Sequence, residues 1–304
     1  MIELTTNVLV TGLWFPEGPR WHEGRLWFSD VLQRCVMAVE PDGSRLQRVV
    51  DVPNIPSGLG WLPDGRLLVV STVDRRLLRL EPDGRLVEHA DIYALCSDRC
   101  NDMIVDTQGR AYVGNWGFDT EATPMRPKTA EIVLVMPDGS ARVAATDVVF
   151  PNGSIVTPDD KTLIVAESFA ARLSAFDIEA DGSLTNRRIW AQFDDRGFAN
   201  PEGRVVPDGI CLDAEGAVWV ASPWSNEVLR VRQGGEVTHR VTASQAVPGT
   251  PGGPGNPFAC VLGGPGRRTL FILTAASTRE EDAWSAGLGK VEAVQVETPG
   301  AGLP

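Results

Sequence analysis

Six phrases of this 304-residue chain place one residue at a fixed distance before a turn that contains Gly or Asp. The spacing is eight residues in five phrases and seven in the first, and the positions are Glu17, Ser57, Asn101, Asn152, Asp208 and Phe258. Five of these six side chains contain oxygen, and two are carboxylic acids. Carboxylate and amide oxygens are the ligands that Ca²⁺, Mg²⁺ and Mn²⁺ prefer. A fold that brought the positions together would therefore supply the donors for a divalent cation.

The turns introduce six similar runs of strand-forming residues. The runs are EGRLWFSD (23–30), DGRLLVVS (64–71), QGRAYVGN (108–115), DDKTLIVAES (159–168), EGAVWVAS (215–222) and GRRTLFILT (266–274). Asp-Gly and related pairs favour the turns that join antiparallel strands, and Val, Leu, Ile and Trp favour strands. Further turns such as PDGSRL and PDGRLV lie between the runs. Each unit therefore holds about four strands in roughly 40–55 residues, which is the size of one propeller blade.

Six such units predict an all-β fold, a six-bladed β-propeller with four-stranded antiparallel blades around a central channel. The units use nearly the whole chain, so we expect one domain over residues 1–304. A β-sandwich would not explain six regular copies. The extended run ELTTNVLV within residues 1–13 is expected to pair with the last blade, because closing the ring protects edge strands.

The first strand of each propeller blade lines the channel, so the six register positions must form a ring at one height along the axis. Polar side chains that converge without a basic partner require compensation, which a hard cation provides. Each residue alone is an ordinary turn former, and the shared register is what favours a metal site. Ser57 and Phe258 are expected to shape the pocket or fill the channel. The phrases PEG, PNG and PDG add a glycine that allows close backbone approach.

Four segments carry a resemblance to a known family: FPEGPRWHEGRLWFSD, RCNDMIVDTQGRAYVGN, PNGSIVTPDDKTLIVAES and PDGICLDAEGAVWVAS. They resemble the family of senescence marker protein (regucalcin), gluconolactonase and luciferin-regenerating enzyme, and the resemblance covers nearly the whole chain. It implies a six-bladed propeller in which Glu17, Asn152 and Asp208 bind one divalent cation. Calcium is the first expectation, with zinc, manganese and magnesium as alternatives. The resemblance also implies that Arg99 and Asn101 face the substrate.

The sequence has no G-x-S-x-G elbow, no H-E-x-x-H and no phosphate-binding Gly-rich loop. Metal-assisted hydrolysis remains, in which the cation polarises a carbonyl and Asp208 takes a proton from the attacking water. A carboxylate that binds a metal is a weak base, so it suits an easily opened ester better than an amide. The sequence therefore predicts a metal-dependent, gluconolactonase-like lactonase that acts on a sugar-derived or similar cyclic ester.

Two other functions stay open. In the first, Asp208 attacks a phosphorus ester directly, as in a phosphotriesterase-like hydrolase of the same fold. In the second, the chain is a non-enzymatic calcium-binding propeller in which the ring only stabilises the fold. Labelled oxygen from solvent water in Asp208 would favour the first, and metal-dependent melting without turnover would favour the second.

Two segments have no counterpart in the resemblance and are expected to form the pocket wall above the metal. They are WGFDTEATPMRPKTA (116–130) and AVPGTPGGPGNPF (246–258), and loops of this kind usually determine specificity. Trp116 and Phe118 are predicted to contact the substrate, with an exposed aromatic cap as the alternative. The alternative role of Arg99 is an ion pair with Asp98 or Asp102.

Composition limits the partners. The chain has 28 Lys and Arg against 40 Asp and Glu, a formal net charge of −12, which disfavours nucleic acids and anionic membranes. No stretch approaches the ~20 apolar residues of a membrane-spanning helix, and the N-terminal segment does not resemble a signal peptide. We expect a cytoplasmic protein with a small-molecule lactone or ester as its partner and no obligatory protein partner. Five cysteines without a C-x-x-C pair predict reduced, buried thiols.

Overall fold

The computed structural model describes residues 1–120, 122, 124–194, 204–243, 255–276 and 287–303. These ranges contain 26 β-strands, no α-helix and three single 3₁₀ turns at Tyr93–Leu95, Ser168–Ala170 and Pro265–Arg267. The strands form six separate sheets. The predicted six-bladed β-propeller with four strands in each blade is confirmed.

Two strands precede the first blade, β1 (Ile2–Thr5) and β2 (Asn7–Leu13). Each of the next three sheets uses four consecutive strands joined by antiparallel pairing. These are β3 (Pro16–His22), β4 (Arg25–Asp30), β5 (Cys35–Val39) and β6 (Gln47–Asp51); β7 (Pro56–Trp61), β8 (Leu67–Ser71), β9 (Arg76–Leu80) and β10 (Leu86–Asp91); and β11 (Cys100–Val105), β12 (Ala111–Asn115), β13 (Ala130–Val135) and β14 (Ala141–Val148).

The fourth and fifth blades each contain four consecutive strands in the same order, and the sixth contains the next three. The last described strand returns to the sheet of the fifth blade. The strands are β15 (Pro151–Val156), β16 (Thr162–Glu167), β17 (Arg172–Ile178) and β18 (Leu184–Gln192); β19 (Ile210–Asp213), β20 (Val218–Ser222), β21 (Glu227–Val231) and β22 (Val237–Thr242); and β23 (Asn256–Gly263), β24 (Thr269–Ala275), β25 (Gly289–Gln295) and β26 (Gly300–Ala301).

The two ends of the chain close the ring. Strand β2 is the fourth strand of the sixth blade and pairs antiparallel with β25, as the sequence predicts. Strand β1 instead runs parallel to β22 on the outer edge of the fifth blade, and β26 pairs with β19 on its inner edge. We propose that residues 1–304 form one domain, because segments from both ends of the chain share sheets with the later blades.

The second strands are buried on both faces, because each blade lies between two neighbours. All five residues of β8 and all five of β12 are buried, whereas the outer strand β10 is largely exposed or half-buried. Between these blades, Leu68, Val70 and Leu77 pack with Met103 and Val113. Burial on both faces explains why the second strands are continuous apolar runs, since each such side chain contributes about 1.5–3 kcal/mol on burial. All five cysteines are free and buried, as predicted.

Candidate metal and substrate site

The first strands of the blades meet around the channel. Strands β3, β7, β11, β15, β19 and β23 contact one another in that order, and β23 contacts β3. Asn101 Nδ2 donates to the carbonyl oxygen of Pro151 at 3.4 Å. The rings of Phe258 and Phe15, with centroids 4.8 Å apart, join the last blade to the first. The register positions therefore lie at the same end of neighbouring strands.

Two glycines beside the ring residues have no room for a side chain. A Cβ on Gly153 would lie 2.4 Å from the carbonyl oxygen of Asp208. Gly18 has φ +56, and a Cβ there would lie 2.9 Å from the carbonyl oxygen of Ser57. Glycine is required at both positions, which agrees with the close backbone approach predicted from the PEG and PNG phrases.

A β-bulge marks the same place in the first strand of most blades. The pairing of β3 shifts between Glu17 and Arg20, and that of β15 shifts between Pro151 and Ser154. Strands β7, β11 and β23 have corresponding shifts. A bulge leaves a residue unpaired and redirects its side chain. The register residues of these five blades therefore lie within a bulge, where the regular strand pairing is interrupted.

Glu17 and Asp208 interact electrostatically across the ring. Burial, and secondarily the charge of Asp102, raises the pKa of Glu17 to about 8, although the Gly18 N–H donates to Glu17 Oε2 at 2.6 Å. Burial, followed by the charge of Glu17, raises the pKa of Asp208 well above its usual range. Two carboxylates held together away from water require protons or a cation.

Asn152 is buried and held by two neighbours. Its Nδ2 donates to Ser168 Oγ at 3.2 Å, and a side-chain hydrogen bond from Asn152 partly offsets the rise in the pKa of Asp208. Ser168 Oγ in turn donates to the carbonyl oxygen of Pro207 at 2.8 Å. These contacts engage the nitrogen of the Asn152 amide, so its oxygen Oδ1 is the atom suited to bind a cation.

The donors at the mouth fit a hard divalent cation. Glu17 and Asp208 together balance a charge of +2, and Asn152 contributes a neutral oxygen. Within the described ranges no group of three or more His, Cys, Asp or Glu side chains is placed to hold a metal. A cation at this position would therefore depend on amide oxygen as well as carboxylate, a composition typical of calcium rather than of the softer transition metals.

Arg99 and Trp116 form a pair at the same end of the channel. The guanidinium carbon of Arg99 lies 5.0 Å from the centre of the Trp116 ring. The backbone N–H of Trp116 donates to the carbonyl oxygen of Arg99 at 2.9 Å. The backbone N–H of Arg99 donates to Asp98 Oδ1 at 2.6 Å. Asp102, one of the two ion-pair partners considered for Arg99, pairs with Arg20.

Phe118 lies behind the surface of the pocket rather than on it. It is only 4% exposed, and its ring contacts Phe150 and Phe169 at centroid distances of 5.9 and 5.4 Å. Its predicted contact with substrate stays a prediction, as does that of Trp116. Of the second predicted wall segment, residues 246–254 lie outside the described residues.

Comparison with known proteins agrees with this geometry. The sequence model of the SMP-30/Gluconolactonase/LRE-like region matches residues 15–276. The chain belongs to this family. Regucalcin of Xenopus laevis is 25% identical over 292 residues, which cover 92% of this chain and 91% of that protein. Pentonolactonase XacC of Haloferax volcanii is 27% identical over 218 residues, which cover 71% of this chain and 69% of that protein.

A solved structure shows the same fold as this family member. The calcium-binding protein regucalcin from Agrobacterium tumefaciens superposes with a TM-score of 0.78. The match is 22% identical and covers 100% of this chain and 98% of that one. In the part of the present family member that the structure describes, no helix is long and apolar enough to cross a membrane.

Two charged residues of this family member's site were missed in the sequence. Arg20 and Asp102 are 5% and 6% exposed and form an ion pair close to the ring. Asp102 raises the pKa of both Glu17 and Asp208, whereas Arg20 lowers that of Glu17. The position of Asp102 directly after Asn101 is the signal that could have indicated it, because a residue next to a ring position must lie close to the ring.

Proposed function

We propose that this chain is a metal-dependent lactonase that opens a small cyclic ester with water. The observation that supports the proposal most directly is the cluster of Glu17, Asn152 and Asp208 at the channel mouth, where two buried acids interact beside an oriented amide. Membership of a family that includes gluconolactonases, and similarity to a pentonolactonase, supports lactone hydrolysis as the reaction class.

Glu17, Asn152 and Asp208 would hold one divalent cation, with calcium as the first candidate. The name of the Agrobacterium relative, a calcium-binding protein, is consistent with that choice. When bound, such a cation supplies Lewis-acid polarisation of the ester carbonyl. Asn101 lies in the same ring and would hold a water or a substrate oxygen.

Asp208 would act as the general base. Its carboxylate takes one proton from water as the water oxygen bonds to the carbonyl carbon. The bond between that carbon and the ring oxygen then breaks, and the ring oxygen receives the proton. The product is an open hydroxy acid. Arg99, held against Trp116, would donate hydrogen bonds from its planar guanidinium to the carbonyl or to the new carboxylate.

A hydrolysis screen tests this function. The protein would be treated with chelator and then assayed on a panel of γ- and δ-lactones with Ca²⁺, Zn²⁺, Mn²⁺ or Mg²⁺ added singly. We expect activity to be lost with chelator and restored by at least one cation. Phosphotriester cleavage without lactone hydrolysis, or metal binding that raises the melting temperature without any turnover, would contradict the proposal. Those results would favour the two functions left open by the sequence.

A further inference from the structure

Aromatic rings form a continuous wall on one side of the channel mouth. We define the aromatic wall as Trp116, Phe150, Phe169 and Trp224, with Phe118 behind it. Phe150 lies 6.1 Å from Trp116 and 5.0 Å from Phe169, and Phe169 lies 5.7 Å from Trp224, all between ring centroids. Trp224 is 39% exposed, so the wall reaches solvent. The Phe150–Phe169 and Phe169–Trp224 contacts are edge-to-face, whereas Trp116 and Phe150 are stacked; both are favourable arrangements of aromatic pairs.

The wall stands directly beside the proposed metal ligands. Phe150 is two residues before Asn152. Phe169 follows Ser168, whose Oγ accepts the Asn152 hydrogen bond at 3.2 Å. Trp224 follows the end of β20, and this strand's Ala221 accepts a hydrogen bond from the Asp208 N–H at 2.9 Å. The wall and the proposed ligands Asn152 and Asp208 are thus carried by neighbouring segments of the chain.

Ile55 lies directly before the first strand of the second blade and has φ +69. Phe150 adopts the same kind of conformation directly before the first strand of the fourth blade. Its φ is +54, a region that bulky side chains rarely adopt. The conformation therefore recurs in the blade repeat. What distinguishes Phe150 is its ring, which contacts three others, Trp116, Phe118 and Phe169.

The wall is confined to the third, fourth and fifth blades. At the same ends of the first two blades, two side-chain pairs are polar. Gln33 Nε2 donates to Asp30 Oδ2 at 2.9 Å, and Asn54 Nδ2 donates to Asp74 Oδ2 at 2.9 Å. Phe15 and Phe258 form a separate aromatic pair between the last blade and the first, so the aromatic wall is the larger of these two aromatic groups.

We propose that the aromatic wall binds an aryl group or a similarly flat apolar group of the substrate, so that the preferred substrates are aryl-substituted or benzo-fused lactones. This inference rests on the proposed function. A sugar lactone would place hydroxyl groups against Phe150 and Phe169, whose rings offer no hydrogen-bonding group, and burying an unpaired hydroxyl is unfavourable. Arg99, stacked on Trp116, supplies the polar donor at the edge of the wall.

The test compares two δ-lactones of equal ring size, 3,4-dihydrocoumarin and D-glucono-1,5-lactone. The variant is Trp224→Ala, with Trp224→Phe as the conservative replacement. Tyr93→Ala is the matched control, because Tyr93 is an exposed aromatic outside the wall, at 57% exposure. We expect Trp224→Ala to lower kcat/KM for the benzo-fused lactone about tenfold and that for the hydroxylated lactone less than twofold, an effect of the size of one lost ring contact. Trp224→Phe should retain most of the activity, and Tyr93→Ala should change neither value.

Two results would overturn the inference while lactone hydrolysis stands. They are an equal loss on both lactones in Trp224→Ala, as expected if the wall stacks on sugar rings, and an unchanged rate on both. If neither lactone is hydrolysed with any cation, the proposed function fails, and the wall is tested by binding. The probe is then the ring-opened aryl acid, 3-(2-hydroxyphenyl)propanoate, titrated by calorimetry. Binding that weakens about tenfold in Trp224→Ala still supports an aryl site, and absence of binding refutes it.

Discussion

Arg20 Nη2 lies 2.8 Å from Asp102 Oδ1, and this ion pair joins the first blade to the third beneath the ring of register residues. The same guanidinium donates from Nε to the carbonyl oxygen of Leu59 at 2.9 Å, in the second blade, and from Nη2 to the carbonyl oxygen of Met103. One side chain thus holds three first strands together. Because both charges are buried, removing one would leave the other uncompensated.

Replacing Arg20 with Met should destabilise the protein by about 3–5 kcal/mol, the usual cost of breaking a buried ion pair. The free energy of unfolding would be measured by urea denaturation in the presence of chelator. Arg48→Met is the control, because Arg48 pairs with Asp51 on the surface at 2.6 Å, with 48% of its side chain exposed. That change should cost within about 1 kcal/mol. Equal losses in the two variants would mean that the buried pair has no special structural role.

Glu17→Gln and Asp208→Asn should separate metal binding from catalysis. Each keeps an oxygen donor and removes one negative charge, but only Asp208→Asn also removes the proposed base. We expect Glu17→Gln chiefly to weaken cation affinity. Asp208→Asn should lower turnover by about 100-fold or more at saturating cation, as expected for loss of a general base. Calcium affinity by calorimetry and lactone turnover would be measured for both. Full activity of Asp208→Asn would disprove the assignment of the base.

Cation affinity should rise with pH. Without a cation, burial raises the folded pKa of Glu17 from its ordinary 4.5 to about 8, so binding below pH 8 must displace a proton. If only the proton on Glu17 is counted, cation affinity should increase about fifty-fold between pH 6 and pH 8. Calorimetry in buffers of different ionisation enthalpy would count the protons released. An affinity that is flat over this range would show that Glu17 is not a ligand.

The raised pKa of Glu17 also makes the stability of the cation-free protein depend on pH. A carboxyl group with a raised folded pKa favours the folded state fully below its unfolded pKa, and this contribution is lost as pH rises through the folded value. The chelator-treated protein should therefore lose stability between about pH 4.5 and pH 8. Saturating cation should remove this loss, and Glu17→Gln should reduce it. Melting temperatures across the pH range test both expectations.

Gly153→Ala should disrupt the site without altering any of its polar groups. The added Cβ would lie 2.4 Å from the carbonyl oxygen of Asp208, so the strands carrying Asn152 and Asp208 must separate. We expect a loss of about 1–3 kcal/mol in stability, typical of overpacking, and weaker cation binding. Gly65→Ala is the control, because Gly65 has open space around it and only a positive φ, +85, which should cost about 1–2 kcal/mol. Cation affinity equal to wild type in Gly153→Ala would contradict this account.

The repeated features of the molecule could be predicted from sequence, because each blade repeats the same local signals. The count from turn to ring residue placed Glu17 and Asn152 at the second positions of β3 and β15, and Asp208 two residues before β19, because strand length and turn type are local properties. Their role as metal ligands stays a prediction. The closing role of β2 also followed from an extended run that no blade had used.

Features that break the repeat could not be predicted. Arg20 and Asp102 are 82 residues apart, and no pattern within either phrase indicates that they meet. Phe169 and Trp224 come directly after strands, where an aromatic residue is usually part of the core. The sequence around them therefore did not indicate that their rings form a wall at the channel mouth. Phe118 looked like a surface residue in a long loop, yet Phe150 and Phe169 cover it.

The pairing of β2 with β25 has a consequence for how the chain folds. Asn7 lies opposite Ala293, and Val8 lies opposite Glu292, so the sixth blade cannot be completed until the last strands have been synthesised. Contacts between residues so distant in sequence form slowly, because the loop between them must first be closed. During translation the earlier blades can assemble in order, while β2 and the growing edge of the ring stay open.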